Sequence, residues 1–224
     1  MIAQPRGVLF VDNNLNCISC NLYMSTTKRL ITGRGVWAKR FMAAAIAQGA
    51  IVVSLTIFLV LSQISLMKPE VSRVIAAGGA GTWFTFGYIM YIVVGVVGVA
   101  VTSLFYYYLE NVMGKRLNKA AKGLAWSHLI LMNVGTVVAM GMLMYAGYQA
   151  GAAMLPANVG GQDLTAGQAH GILAPFVEPI SAAILVLTIG VLLGGLGFLL
   201  TYRSADAVRI RTSDKIQDDT GPVR

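Results

Sequence analysis

Apolar residues in this chain come in long unbroken runs, with no strict alternation. Residues 41–67, 74–109, 123–162 and 179–202 contain no Asp, Glu, Lys or Arg. A helix needs about 20 mostly apolar residues to cross the hydrocarbon core of a bilayer. Each run is long enough, so the pattern predicts four transmembrane helices, at about 41–66, 82–109, 121–148 and 177–202. The fold class read from this is all-α, a polytopic membrane protein built as a four-helix bundle. Between the last two helices, residues 149–176 are moderately apolar but carry Pro156, Pro175, Gly160, Gly161, Asn158, Gln162, Asp163, Gln168 and His170. They read as an outside loop with room for a short interfacial helix.

Composition agrees with the runs. Of 224 residues, 56% are hydrophobic and 12% charged, whereas an average soluble domain carries roughly 25% charged residues. A soluble enzyme and a disordered chain are both disfavoured. The formal charge of +8 would suit nucleic acid, but the basic residues flank the apolar runs, which is the footprint of membrane orientation. Lys and Arg number six before the first helix (Arg6, Lys28, Arg29, Arg34, Lys39, Arg40) and two in the first loop (Lys68, Arg73). Four follow in the second loop (Lys115, Arg116, Lys119, Lys122), none in the third, and five from Arg203 to the C-terminus. Four spans with both termini cytoplasmic set 15 inside and two outside, the sense that the positive-inside rule selects.

This arrangement divides the chain into an N-terminal tail at 1–40, a transmembrane domain at 41–203 and a C-terminal tail at 204–224. The stretch ahead of the first helix is too long and polar for a signal peptide. Met24-Ser25-Thr26-Thr27-Lys28-Arg29 looks like an ordinary protein start, so residues 1–23 are expected to be an extension upstream of it. Residues 203–224 mix five basic with four acidic residues and read as solvated.

Lipid offers no hydrophobic drive between helices, so small residues and close packing must supply association. The second helix shows a seam at Tyr88, Tyr91, Gly95, Gly98, Thr102 and Phe105. The third has one at His128, Met132, Gly135, Ala139 and Met142. The fourth carries Gly190 and Gly194, and the first Ala43 and Ala47.

Candidate chemistry is sparse, and no catalytic residues are assigned. His128, two turns into the third helix, reads as a haem or metal ligand, a proton relay, or a packing residue bonded to a neighbouring helix. His170 lies with Asp163 and Glu178 at spacings that match no compact metal motif, so it reads as structural. Glu178, between Pro175 and Pro179, would complement the dipole of the fourth helix's first turn. Met132, Met140, Met142, Met144 and Met154 read as core filler in preference to copper ligands. Cys17 and Cys20 form a C-x-x-C with no second pair to complete four metal ligands.

The stretch Gly98-Val99-Ala100-Val101-Thr102-Ser103-Leu104-Phe105-Tyr106-Tyr107-Tyr108, leading through Gly114-Lys115-Arg116 to Leu117-Asn118, resembles the haem-copper oxidase subunit I family at the end of its tenth helix. His128-Leu129-Ile130-Leu131 followed by Val134-Gly135 is similar to the family's next helix, and the segment from Pro179 to Arg203 to its last. The likeness covers roughly residues 82–203. It departs where the family carries its haem-binding His-x-His. Tyr91 and Gly95 match the pattern there, but Tyr88 and Met90 stand where the histidines belong. His128 aligns with a family histidine that is not a metal ligand. The resemblance implies a non-catalytic accessory subunit of a respiratory oxidase or related membrane redox complex, with no cofactor of its own. Its partners would be the lipid bilayer and other membrane subunits, not nucleic acid. The alternatives are a haem-binding oxidase component acting in electron transfer, through His128 or through Met90 with a partner's histidine, and a small transporter.

Overall fold

The computed structural model describes residues 35–204. The expected extension at 1–23, with Cys17 and Cys20, lies outside the described residues, as does the tail beyond 204. The described chain contains helices α1 (Val36–Ile64), α2 (Val71–Ala76), α3 (Gly79–Val112), α4 (Lys119–Ala153) and α5 (Ala166–Arg203). All but the short α2 are long and apolar enough to cross a membrane.

All four spans begin before the expected bounds, α1 at Val36 inside the expected tail and α3 at Gly79, and the last two are extended most. α4 continues to Ala153, and α5 starts at Ala166 and not near 177. Residues 149–176 are therefore mostly helix, and the connection shrinks to 154–165. The reason is local. Thr165 accepts a hydrogen bond from the Gln168 backbone, and the Gln168 Oε1 accepts one from the Thr165 backbone at 2.9 Å, a reciprocal capping box. Pro175 and Pro179 then fall inside the helix. With 38 residues, α5 is about 57 Å long, well beyond a hydrocarbon core of about 30 Å. Its first turns must project past the apolar zone, where such prolines are tolerated more easily. The same shift moves Glu178 more than three turns into α5, so it does not occupy the first turn expected from the sequence.

α4 is the central helix. Its small residues let α3 approach on one side and α5 on the other. Against α5, a methyl at Gly135 would meet the Leu187 backbone at 2.8 Å, and one at Gly190 the Met132 backbone at 2.8 Å. Against α3, a methyl at Gly87 would meet Leu143 at 2.9 Å, and one at Gly151 would meet Gly81 at 2.8 Å. Backbones this close gain dispersion contacts that leucine-lined helices cannot reach, and that gain drives association in lipid.

Two seams differ from those expected. In α3 the turns widen to π-helical geometry over Tyr91–Gly98. A widened turn inserts extra residues and rotates everything after it. Tyr91 and Gly95 stay buried, but the buried line then passes through Val99, Ser103 and Tyr106, leaving Phe105 56% exposed. In α1 the buried face is Trp37, Ala38, Phe41, Ala45 and Gln48, so Ala43 and Ala47 point away from the bundle.

Candidate functional site

Two groups of polar side chains tie the helices of the bundle to one another. The first lies at the end shared by the start of α1, the end of α3, the start of α4 and the end of α5. His128 lies there, 4% exposed, with its ring against Phe41 at 5.1 Å between centroids. Its Nδ1 is 2.7 Å from the Gly190 carbonyl oxygen of α5. A carbonyl only accepts, so Nδ1 carries the proton. The Nε2 of a neutral imidazole then holds a lone pair, and that atom is buried without a hydrogen-bond partner among the described residues. Gly194 lies directly beside the ring, where any Cβ would collide with Nδ1. The hydrogen-bond partner of His128 is thus a backbone carbonyl of the adjacent helix.

Around His128 the aromatic residues stack in sequence. Phe41 lies flat on Tyr106 at 4.8 Å, and Trp37 meets Trp126 edge-on at 5.6 Å. The Arg40 guanidinium sits over both indoles, 4.7 Å from each ring centroid. Glu110, at the end of α3, turns its carboxylate onto the first turn of α1 and accepts from the Trp37 and Ala38 backbone N–H groups at 3.0 and 3.3 Å. It therefore caps a helix that has no side-chain cap of its own. Ser103 donates to the Ala38 carbonyl at 2.8 Å and closes the same joint. On the neighbouring corner the Lys115 ammonium donates to the Tyr202 and Ser204 carbonyls at the C-terminus of α5.

The second group lies deeper in the apolar region and ties three helices together. Asn133 of α4 donates to the Leu129 carbonyl at 2.7 Å and accepts from Gln48 of α1 at 2.9 Å. Gln48 in turn accepts from the Tyr91 hydroxyl of α3 at 2.5 Å. One turn away Tyr88 shares a hydrogen bond with Thr56 of α1 at 2.7 Å. Gln48, Asn133 and Tyr91 thus each find a partner inside the bundle, which matters where no water competes.

The remaining residues singled out in the sequence lie apart from both groups. His170 is exposed in the first turns of α5, with Nδ1 3.0 Å from the Ala166 carbonyl. Asp163 accepts from the Ala157 backbone at 3.1 Å within the 154–165 connection. Met132, Met140 and Met144 are buried in the core beside α3 and α5. Among the described residues no three His, Cys, Asp or Glu side chains converge as a metal site. Tyr91, Gly95, Gly135, Gly190 and Gly194 are all buried at helix contacts, and Tyr88 is half-buried beside them.

Sequence reasoning overlooked Glu110, Arg40, Trp37, Trp126 and Gln48. Two signals were present. Glu110 is the acid that closes the second charge-free run, and Gln48 is the one amide between residues 41 and 62. No protein-family model, curated protein or solved structure matches the chain.

Proposed function

We propose that the chain is a non-catalytic membrane subunit that supplies packed helices to a larger membrane complex. The observation that carries this reading is the use made of His128, the one histidine inside the charge-free runs. Its Nδ1 is committed to Gly190 at 2.7 Å and its ring lies against Gly194. Both contacts serve the α4–α5 joint. The polar chain Tyr91–Gln48–Asn133 is likewise closed on itself across three helices. These contacts hold helices in register, the use expected of a subunit that supplies packing. The resemblance of residues 98–118 and 128–135 to oxidase subunit I favours a respiratory or related redox complex as the parent. The basic end of the bundle favours an orientation with both termini cytoplasmic.

A second reading has one observation in its favour. The His128 Nε2 lone pair has no partner among the described residues, and an imidazole nitrogen is a strong axial ligand for haem iron. Purification in mild detergent separates the two. A colourless chain co-purifying in fixed ratio with membrane redox subunits supports the accessory role. A stoichiometric Soret band that shifts on reduction and vanishes in His128→Ala replaces it with the haem reading.

A further inference from the structure

We propose that the edge between α1 and α4 binds the phosphate of an anionic membrane phospholipid, with Arg40 as the ligand. The inference needs only the membrane-spanning fold and is independent of the accessory-subunit reading. Arg40 is exposed, and its guanidinium is held 4.7 Å from the centroids of both Trp37 and Trp126. The two indoles stand at 82° to each other, so they pin the cation between two rings at a fixed place on the bundle edge. Among the described residues no carboxylate forms an ion pair with it, the single such pair being Arg73 with Glu70 at the opposite end. The nearest candidate, Glu110, has both oxygens engaged with the α1 backbone. The clamp therefore holds an exposed guanidinium at one place, with donors that suit a phosphate.

The surroundings match a lipid and not a free anion. Lys119 and Lys122 are exposed on α4, with Lys122 one turn from Trp126 and on the same face. Beyond Trp126, toward the bundle centre, Ile130 and Val134 continue that face, 54% and 53% exposed. A headgroup at Arg40 would thus have cations on its outer side and an apolar track for an acyl chain on its inner side. Trp126 itself, 46% exposed, occupies the interfacial level where indoles are enriched.

The test uses the full chain in neutral detergent, with native mass spectrometry of the first lipid retained. Phosphatidylglycerol should bind about five-fold or more tighter than phosphatidylcholine, the scale of one basic residue at an anionic surface. Arg40→Gln should abolish that preference. Lys39→Gln, which removes the same charge one residue away, should keep it. Trp126→Leu preserves every charge but breaks the clamp, and should also lose the preference, so the proposal stays testable even where Arg40→Gln fails to fold. Equal binding of the two lipids, equal loss in Lys39→Gln and Arg40→Gln, or an unchanged preference in Trp126→Leu would each overturn it. So would full displacement of the lipid by millimolar inorganic phosphate, which would show an anion site with no lipid component.

Discussion

Replacing Gln48 by Leu tests whether the polar chain in the bilayer interior holds the bundle together. Leu has nearly the same volume and suits lipid better, so a hydropathy argument predicts a neutral or stabilising change. The geometry predicts the opposite. Gln48 accepts from Tyr91 at 2.5 Å and donates to Asn133 at 2.9 Å, joining α1 to both α3 and α4. Interhelical hydrogen bonds in membranes average about 0.6 kcal/mol, with a maximum near 1.7. Losing two therefore costs about 1–3 kcal/mol. Tyr91→Phe breaks only one and should cost about 0.6–1.7 kcal/mol. The double variant loses the same two bonds as Gln48→Leu alone, so its cost should nearly equal that of the single Gln48 change. The coupling between the sites is then about 0.6–1.7 kcal/mol. Equilibrium unfolding in mixed micelles, followed by a distance probe between α1 and α4, measures all four corners of the cycle. Additive effects, or a Gln48→Leu variant as stable as the parent, would refute the reasoning and leave the chain of amides energetically idle.

Three further outcomes follow from the same contacts. Gly194→Ala should destabilise the α4–α5 joint by about 1–3 kcal/mol, because the added methyl collides with the His128 ring; Gly195→Ala, which meets open space, should be nearly neutral in the same unfolding assay. His128→Ala should lower stability by about 1–3 kcal/mol through loss of the Gly190 bond and of packing on Phe41, with an unchanged visible spectrum between 380 and 600 nm (roughly the range of haem bands). Topology reporters placed after Arg203 and within 157–165 should report opposite sides of the membrane, since α5 separates them; the same side for both would show that α5 does not span.

The number of long apolar helices was legible in the linear sequence, because the cost of placing charge in hydrocarbon acts residue by residue. The same reasoning found Tyr91, Gly95, Gly135, Gly190 and Gly194, since small residues in an apolar run signal close approach whatever the partner. It failed where rotation about the helix axis decides. Ile46 is 67% exposed and Phe41 fully buried, yet both are apolar residues of α1. Lipid is as apolar as a helix interface, so hydropathy carries no information about which face turns inward. That choice came from long-range partners: Glu110 on the α1 backbone, Gln48 on Tyr91 and Asn133, and the π-widened turn that carried the α3 seam from Phe105 to Tyr106. The role of His128 was open for the same reason. Its partner is a backbone carbonyl 62 residues away, reachable only because Gly190 and Gly194 bring α5 within one atom's width of α4. Such an acceptor exists at every residue of every helix, and only the packing of the two helices selects which one the imidazole meets.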